Sequence, residues 1–183
     1  MSMICYQCQE AAKREGWQIQ GSWEKKENTA KLQDLLIYST KGIAEVVTKG
    51  NLDVNELKQV NHQVLTSLFI TITNANFDDD AIEAQISKNI AARNELRAKV
   101  STSNLHDAAT FEVSSKESML EKAASIGVLS TENEDVRSLR EMIIYGLKGL
   151  AAYAEHAVNL GKENNDIYSF IYEALAATLN NTL

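Results

Sequence analysis

The apolar residues of this chain recur every three or four positions along most of its length. Between Glu27 and Lys49 they fall on one side of a helix with a period of 3.6 residues. Gly50 and Asn51 follow directly, and both residue types commonly end helices. The pattern therefore predicts a helix over residues 27–49 whose buried side carries Leu32, Leu35, Leu36, Ile43, Val46 and Val47.

The same period predicts five more helices, over residues 54–73, 78–101, 116–125, 135–161 and 165–180. The acidic run Asp78–Asp80 is predicted to begin the third helix, since carboxylates stabilise a helix N-terminus. The Ser/Thr-rich residues 101–115 lack the period and are predicted to form a loop. The residues expected to face inward are Leu57, Val60, Val64, Leu65, Leu68 and Ile72 in the second helix, Ile82, Ile86, Ile90 and Leu96 in the third, and Ile167, Phe170, Ile171, Leu175 and Leu179 in the last.

An internal repeat suggests how these helices are arranged. LQDLLIYSTKGIAE (Leu32–Glu45) aligns without gaps with LREMIIYGLKGLAA (Leu139–Ala152), 107 positions later. Two explanations stay open: a duplicated helical unit, or a chance likeness between amphipathic helices, with the shared Ile-Tyr-x-x-Lys-Gly favouring duplication. Gly42 and Gly149 lie in the middle of these helices, where glycine is unfavourable, so we expect another helix backbone to approach each closely.

These observations predict an all-α fold of two antiparallel three-helix-type bundles, similar to spectrin repeats. The first bundle is predicted over residues 27–105 and the second over residues 106–183. Residues 1–26 are predicted to form an N-terminal cysteine-containing helix and loop. The absence of proline among the 183 residues agrees with long helices, because proline breaks helix interiors.

Charge and hydropathy exclude two classes of partner. The net charge of −7 argues against nucleic-acid binding, which requires a basic face. No apolar run approaches the roughly 20 residues of a membrane span, and no signal peptide precedes Cys5. We therefore expect a cytoplasmic protein, in which the two cysteines are thiols or metal ligands rather than a disulfide.

Cys5 and Cys8 have the C-x-x-C spacing that chelates zinc or anchors an iron–sulfur cluster. Such sites usually need four ligands, and the chain has only two cysteines. From spacing alone, a metal site and two incidental thiols near a terminus are both open. The histidines His62, His106 and His156 have no cysteine or histidine at ligand spacing and are predicted to be structural.

The segment MICYQCQEAAKREGW, followed by LQDLLIYSTKGIAE, resembles the N-terminus of the hybrid-cluster proteins, also called prismane proteins or hydroxylamine reductases. TNANFDDD (73–80) and the residues 145–175 extend the resemblance over nearly the whole chain. The opening motif of that family is C-x2-C-x8-C-x5-C, four cysteines that hold a cubane [4Fe–4S] cluster. Cys5 and Cys8 fall on the first two positions, whereas Trp17 and Trp23 occupy the third and fourth. An indole N–H is a donor only and offers iron no lone pair.

The resemblance implies the N-terminal helical domain of a longer oxidoreductase that reduces hydroxylamine to ammonia and water and is also linked to nitric oxide reduction. In that enzyme the cubane passes electrons to a hybrid iron–sulfur–oxygen cluster whose ligands lie downstream, outside this chain. We therefore expect no catalytic residue here and a [4Fe–4S] cluster that is absent or labile. The expected partners are the downstream domains and a redox donor, with a homodimer also open. The alternative is a cluster-free helical module for packing or dimerisation, with no redox role.

Overall fold

The computed structural model describes residues 25–72 and 76–180. These residues contain α-helices and no β-strand, which confirms the predicted all-α fold for this part of the chain. The helices are α1 (Glu27–Lys49), α2 (Lys58–Ile70), α3 (Asp79–Arg97), α4 (Lys116–Ile126), α5 (Glu134–Asn159) and α6 (Asn165–Ala177). Short 3₁₀ turns lie at Val54–Glu56, Asp107–Ala109 and Val128–Ser130.

The helix bounds agree best with the prediction where the sequence carries clear end signals. The bounds of α1 are those predicted, and its six predicted inward residues are at most 3% exposed. The second helix begins later than predicted, because Asp53 accepts a hydrogen bond from Asn55 N and caps a separate 3₁₀ turn. The third helix ends at Arg97, yet Val100 beyond it still packs on the core. The apolar pattern therefore continues beyond the end of α3, which is why the sequence predicted a longer helix.

Helix α1 lies at the centre of the described residues and contacts α3, α4 and α6, whereas α2 packs against α5. The larger buried cluster combines side chains mainly from α1, α2, α5 and α6, and a second cluster joins α1, α3 and α4. Both clusters therefore contain residues from either side of position 105. The division into bundles 27–105 and 106–183 stays a prediction, and α4 lies against α1.

The last helix buries Ile171 and Leu175 as predicted, but it does not bury Phe170. Phe170, which was predicted to face inward, is 56% exposed, whereas Tyr168 and Tyr172 are buried. The hydroxyl of Tyr172 donates to Asn61 Oδ1 at 2.8 Å, and that of Tyr168 donates to Glu163 at 3.0 Å. A buried tyrosine is tolerated when its hydroxyl has such a partner, so these contacts decide the buried side of α6.

The helices recur along the chain with the same offset of 107 residues as the repeated sequence. Helix α1 begins at position 27 and α5 at position 134, which is 107 later. Adding 107 to the bounds of α2, 58–70, gives 165–177, which are the bounds of α6. The contact of α1 with α6 has its counterpart in the contact of α5 with α2. This correspondence supports duplication over chance likeness.

The two repeated glycines differ in their surroundings. A Cβ on Gly42 would lie 2.0 Å from the carbonyl oxygen of Ala108, which confirms a close backbone approach, although a 3₁₀ turn supplies it. No described atom would lie within 4 Å of a Cβ on Gly149, so the same expectation is wrong there for the described residues. Among the helices of residues 25–72 and 76–180, none is both long and apolar enough to cross a membrane.

Candidate functional site

The residues predicted to bind iron lie outside the described part of the chain. Cys5 and Cys8 fall within residues 1–24, as do Trp17 and Trp23 at the other two ligand positions. Their arrangement in space therefore stays a prediction. The structure does describe the polypeptide that follows them, where the chain enters α1.

The start of α1 is held against the start of α3. Thr29 Oγ1 donates to Asp79 Oδ1 at 2.6 Å, and the buried Lys25 ammonium lies 5.2 Å from the centre of the Phe77 ring. The Asp78 carboxylate accepts from Ala81 N, which confirms that the acidic run begins this helix. An open cleft at this end of α1 is lined by Lys25, Lys26, Thr29, Phe77, Asp78, Asp79, Asp80 and Lys116.

The donor set does not fit a four-ligand cubane. Two thiolates can ligate iron, but the two indoles cannot, and the sequence has no third cysteine. Within residues 25–72 and 76–180, no three His, Cys, Asp or Glu side chains are grouped closely enough to hold a metal ion. The sequence therefore has a possible thiolate ligand at only two of the four positions, Cys5 and Cys8.

Several ionisable groups lie around one cavity, where α1, α5 and the turn Val128–Ser130 come together. The cavity has a volume of about 60 Å³. Its volume leaves room for a few water molecules. A larger open pocket adjoins it on the side of His106. The ionisable residues that line the cavity are Asp34, Tyr38, Lys41, Arg137, Arg140 and Glu141.

Burial shifts the pKa values of this cluster toward the uncharged forms. It lowers the pKa of Lys41 to about 8, although the neighbouring Glu141 carboxylate acts in the opposite direction. Burial likewise raises the pKa of Glu141 and lowers that of His106. The pKa of Tyr38 is raised by burial and by its hydrogen bond to Asp107 Oδ2, at 2.6 Å.

Burial thus moves the pKa of Lys41 down and that of Glu141 up, so the two values lie closer together than those of exposed groups. Shifted pKa values often mark functional sites, but buried structural ion pairs produce them too. Cationic and anionic side chains are mixed around the cavity, so it has no strong preference for one sign of ligand. We assign it no reaction.

The histidines make structural contacts. His62 Nε2 lies 2.7 Å from Glu163 Oε2, and His106 Nδ1 accepts from Ala108 N at 3.1 Å. The His156 ring lies 6.0 Å from the Phe69 ring, edge to face. These contacts support the structural roles predicted for all three.

Sequence reasoning missed Arg93, whose side chain is fully buried. Its guanidinium donates to the carbonyl oxygens of Ala108 and Phe111, at 3.1 and 2.6 Å, and so fixes the loop after α3. The signal was present in the spacing: Gln85 and Asn89 precede Arg93 on the side of the helix that carries Ile82, Ile86 and Ile90. All three polar residues are buried.

Asn89 joins three helices from that position. Its side-chain nitrogen lies 3.0 Å from Ser39 Oγ, 3.1 Å from Thr40 Oγ1 and 3.1 Å from Ser67 Oγ. Buried amides need such partners, because an unpaired one costs roughly 1–3 kcal/mol. The contact therefore fixes the register between α1, α2 and α3.

Known proteins similar to this chain include hydroxylamine reductases. That of Acetivibrio thermocellus is 63% identical over 183 residues, covering 100% of this chain and 34% of that protein. The enzyme of Clostridium perfringens is 47% identical over 190 residues, covering 100% of this chain and 35% of its own length. That of Desulfovibrio desulfuricans is 48% identical over 187 residues, with 100% and 34% covered. This chain spans about a third of the length of these relatives, and it aligns with their N-terminal part.

The family relationship rests on the whole chain rather than on the cysteine pair alone. A model of the prismane/CO dehydrogenase family, a family of iron–sulfur proteins, matches residues 3–183. The matched region contains both repeated helices and both cysteines. Because the match extends over residues 3–183, the chain belongs to the prismane/CO dehydrogenase family.

Proposed function

We propose that this chain acts as the N-terminal helical domain of a hydroxylamine reductase and contributes electron-transfer and packing surfaces rather than the reaction centre. The observation that carries the proposal is the 63% identity to the Acetivibrio thermocellus hydroxylamine reductase over all 183 residues. The remaining two thirds of such an enzyme would supply the site at which hydroxylamine takes up two electrons and two protons to give ammonia and water.

The iron–sulfur part of the proposal concerns Cys5 and Cys8. In the full enzyme these thiolates would be two of the ligands of an electron-transfer cubane. With Trp17 and Trp23 in the other positions, the chain holds no stable four-iron cluster through its own side chains. The alternative is a helical module without any redox role. It also predicts that this chain alone holds no stable cluster. The two hypotheses differ in the full-length enzyme, where only the first predicts that this domain transfers electrons.

The test is a chimera in which this chain replaces the matching third of the Acetivibrio thermocellus enzyme. Turnover is measured anaerobically as oxidation of a reduced dye that depends on hydroxylamine, together with the ammonia formed. We expect no turnover by this chain alone and measurable turnover by the chimera carrying W17C and W23C. The matched control is the chimera that retains both tryptophans, which should be slower.

Two results would contradict the proposal. One is turnover by the 183-residue chain alone, which would place a reaction centre within it. The other is a folded, iron-loaded chimera that stays inactive even with both cysteines restored, while the unmodified relative is active. The second result would favour the cluster-free helical module.

A further inference from the structure

Besides the apolar side that packs in the core, helix α5 has a second apolar face that is exposed, and it buries a lysine. The outer face of α5, as defined here, consists of Leu139, Met142, Tyr145, Gly146, Gly149 and Tyr153. Met142 is 66% exposed and Tyr153 82%, and the face carries no charged side chain. Lys148 of the same helix is only 2% exposed. A surface helix normally has the opposite arrangement, so this face has the character of an interface.

The repeat shows what covers the equivalent face of α1. Subtracting 107 from each position gives Leu32, Leu35, Tyr38, Ser39, Gly42 and Val46. Leu32, Leu35 and Ser39 are fully buried. Helix α3 covers this side with Ile82, Ile86 and Ile90, which pack in one cluster with the two leucines, while Asn89 contacts Ser39. The turn Asp107–Ala109 then places the carbonyl of Ala108 against Gly42.

Within the described residues, no equivalent of α3 covers α5. Helix α3 follows α2 along the chain, so its counterpart would follow α6. Adding 107 to the bounds of α3, 79–97, gives positions 186–204, just beyond position 183. The Acetivibrio thermocellus relative continues past its aligned region, since this chain covers 34% of it. The predicted helix therefore falls in a stretch of polypeptide that the relative possesses.

The path of the chain after α6 agrees with this placement. Arg140 Nη2 donates to the carbonyl oxygen of Asn180 at 2.8 Å, so the residues after α6 lie beside α5. Arg140 is the neighbour of Leu139, at one end of the outer face. A segment that continues from there needs only a short connection to lie along α5.

We propose that the outer face of α5 is the docking surface for a helix formed by the segment that follows α6 in hydroxylamine reductases, packed as α3 packs on α1. The proposal rests on the proposed function, that this chain is the N-terminal part of such an enzyme. The helix would be amphipathic, with apolar side chains at the spacing of Ile82, Ile86 and Ile90. The Gly146-x-x-Gly149 step would admit its backbone or that of the following turn.

The experiment extends this chain with the residues of the Acetivibrio thermocellus relative, as far as the residue equivalent to position 204. Thermal unfolding and amide hydrogen exchange of the extended and the 183-residue proteins are then compared. We expect the extension to raise the Tm and to slow exchange in α5. An extension of the same composition in scrambled order is the matched control and should change neither.

The substitution Gly149→Leu distinguishes an effect on helix docking from an effect on the stability of α5 itself. In the 183-residue chain the substitution should leave the Tm unchanged or raise it, because the site is open. In the extended chain it should abolish the Tm gain. Leu129→Glu, at a 48% exposed position outside this face, should leave the gain intact.

Equal Tm and exchange in the two proteins would overturn the proposal. So would a 183-residue chain that is dimeric by light scattering and becomes monomeric with Met142→Glu, because a second copy would then cover the face. A different measurement tests the proposed function. If the extended chain shows the Tm gain but the chimera is inactive, the docking proposal holds and the proposed function is wrong.

Discussion

Gly42 and Gly149 occupy equivalent positions of the repeated sequence and have opposite surroundings. A Cβ on Gly42 would lie 2.0 Å from the carbonyl oxygen of Ala108, whereas no described atom would lie within 4 Å of one on Gly149. The two copies therefore use the same residue under different packing. In the first copy the contact with the Ala108 carbonyl leaves room only for glycine. In the second copy the described residues leave space for a larger side chain at position 149.

The first prediction follows from this contrast. Gly42→Ala should destabilise the protein by about 1–3 kcal/mol, because the new methyl group meets a backbone carbonyl that cannot rotate away. Gly149→Ala should be neutral or stabilise the 183-residue chain by up to about 1 kcal/mol through helix propensity. Urea unfolding of both variants measures the two changes. If Gly42→Ala and Gly149→Ala had similar free energies of unfolding, the two glycines would not differ in their surroundings as described.

The second prediction concerns the buried guanidinium of Arg93. Arg93→Met should lower the free energy of unfolding by at least about 2 kcal/mol, because two buried carbonyl oxygens would lose their donor. The loop at Asp107–Phe111 should also exchange its amide hydrogens faster. Lys88→Met, at an exposed position of the same helix, is the control and should change little. A stable Arg93→Met variant with a protected loop would count against this role.

Periodicity located most of the helices, because a 3.6-residue repeat directly reports one buried side. It did not show which helix covers which side, so the two-bundle grouping had no support beyond the repeat. The buried polar residues Gln85, Asn89 and Arg93 were missed because only apolar positions were counted. Phe170 was placed inward for the same reason, although hydrogen bonds of neighbouring tyrosines decide that side.

The candidate sites differ in how far the sequence could indicate them. Cys5 and Cys8 were recognisable because C-x-x-C is a common local spacing of iron–sulfur ligands. The cavity lined by Asp34, Lys41 and Glu141 was not, because its ionisable groups come from separate helices. Their proximity depends on where the tertiary fold places α1 and α5, which local spacing does not encode.

The third prediction is a pH dependence of stability that arises at Lys41. The unfolded chain keeps this proton up to the usual pKa of 10.5, whereas the folded protein loses it near pH 8. Between these values the unfolded state binds more protons, so folding becomes more favourable as the pH rises. Below about pH 8 both states carry the proton, so the folded protein bears the full cost of keeping the partly buried Lys41 charged.

Lys41→Met removes this dependence. The free energy of unfolding of the variant, relative to the parent, should fall by up to about 1.4 kcal/mol per pH unit between pH 8 and 10.5. Below pH 8 the titration of Lys41 should no longer change the difference in free energy of unfolding between the variant and the parent. Urea unfolding at several pH values measures it, with Lys88→Met as the exposed control. A difference that is flat across the whole range would show that Lys41 keeps its ordinary pKa.

The last prediction concerns the two tryptophans at the ligand positions. Trp17→Cys with Trp23→Cys restores four thiols at the family spacing, so anaerobic reconstitution with iron and sulfide should give about four irons per chain and a thiolate-to-iron charge-transfer band. The parent should retain neither after desalting, because two thiolates leave half of the cluster without protein ligands. Each single variant, with three thiols, is a matched control and should bind less stably than the double variant. If the parent retains a cluster as tightly as the double variant, the tryptophans do not abolish the site, and ligands other than Trp17 and Trp23 must complete it.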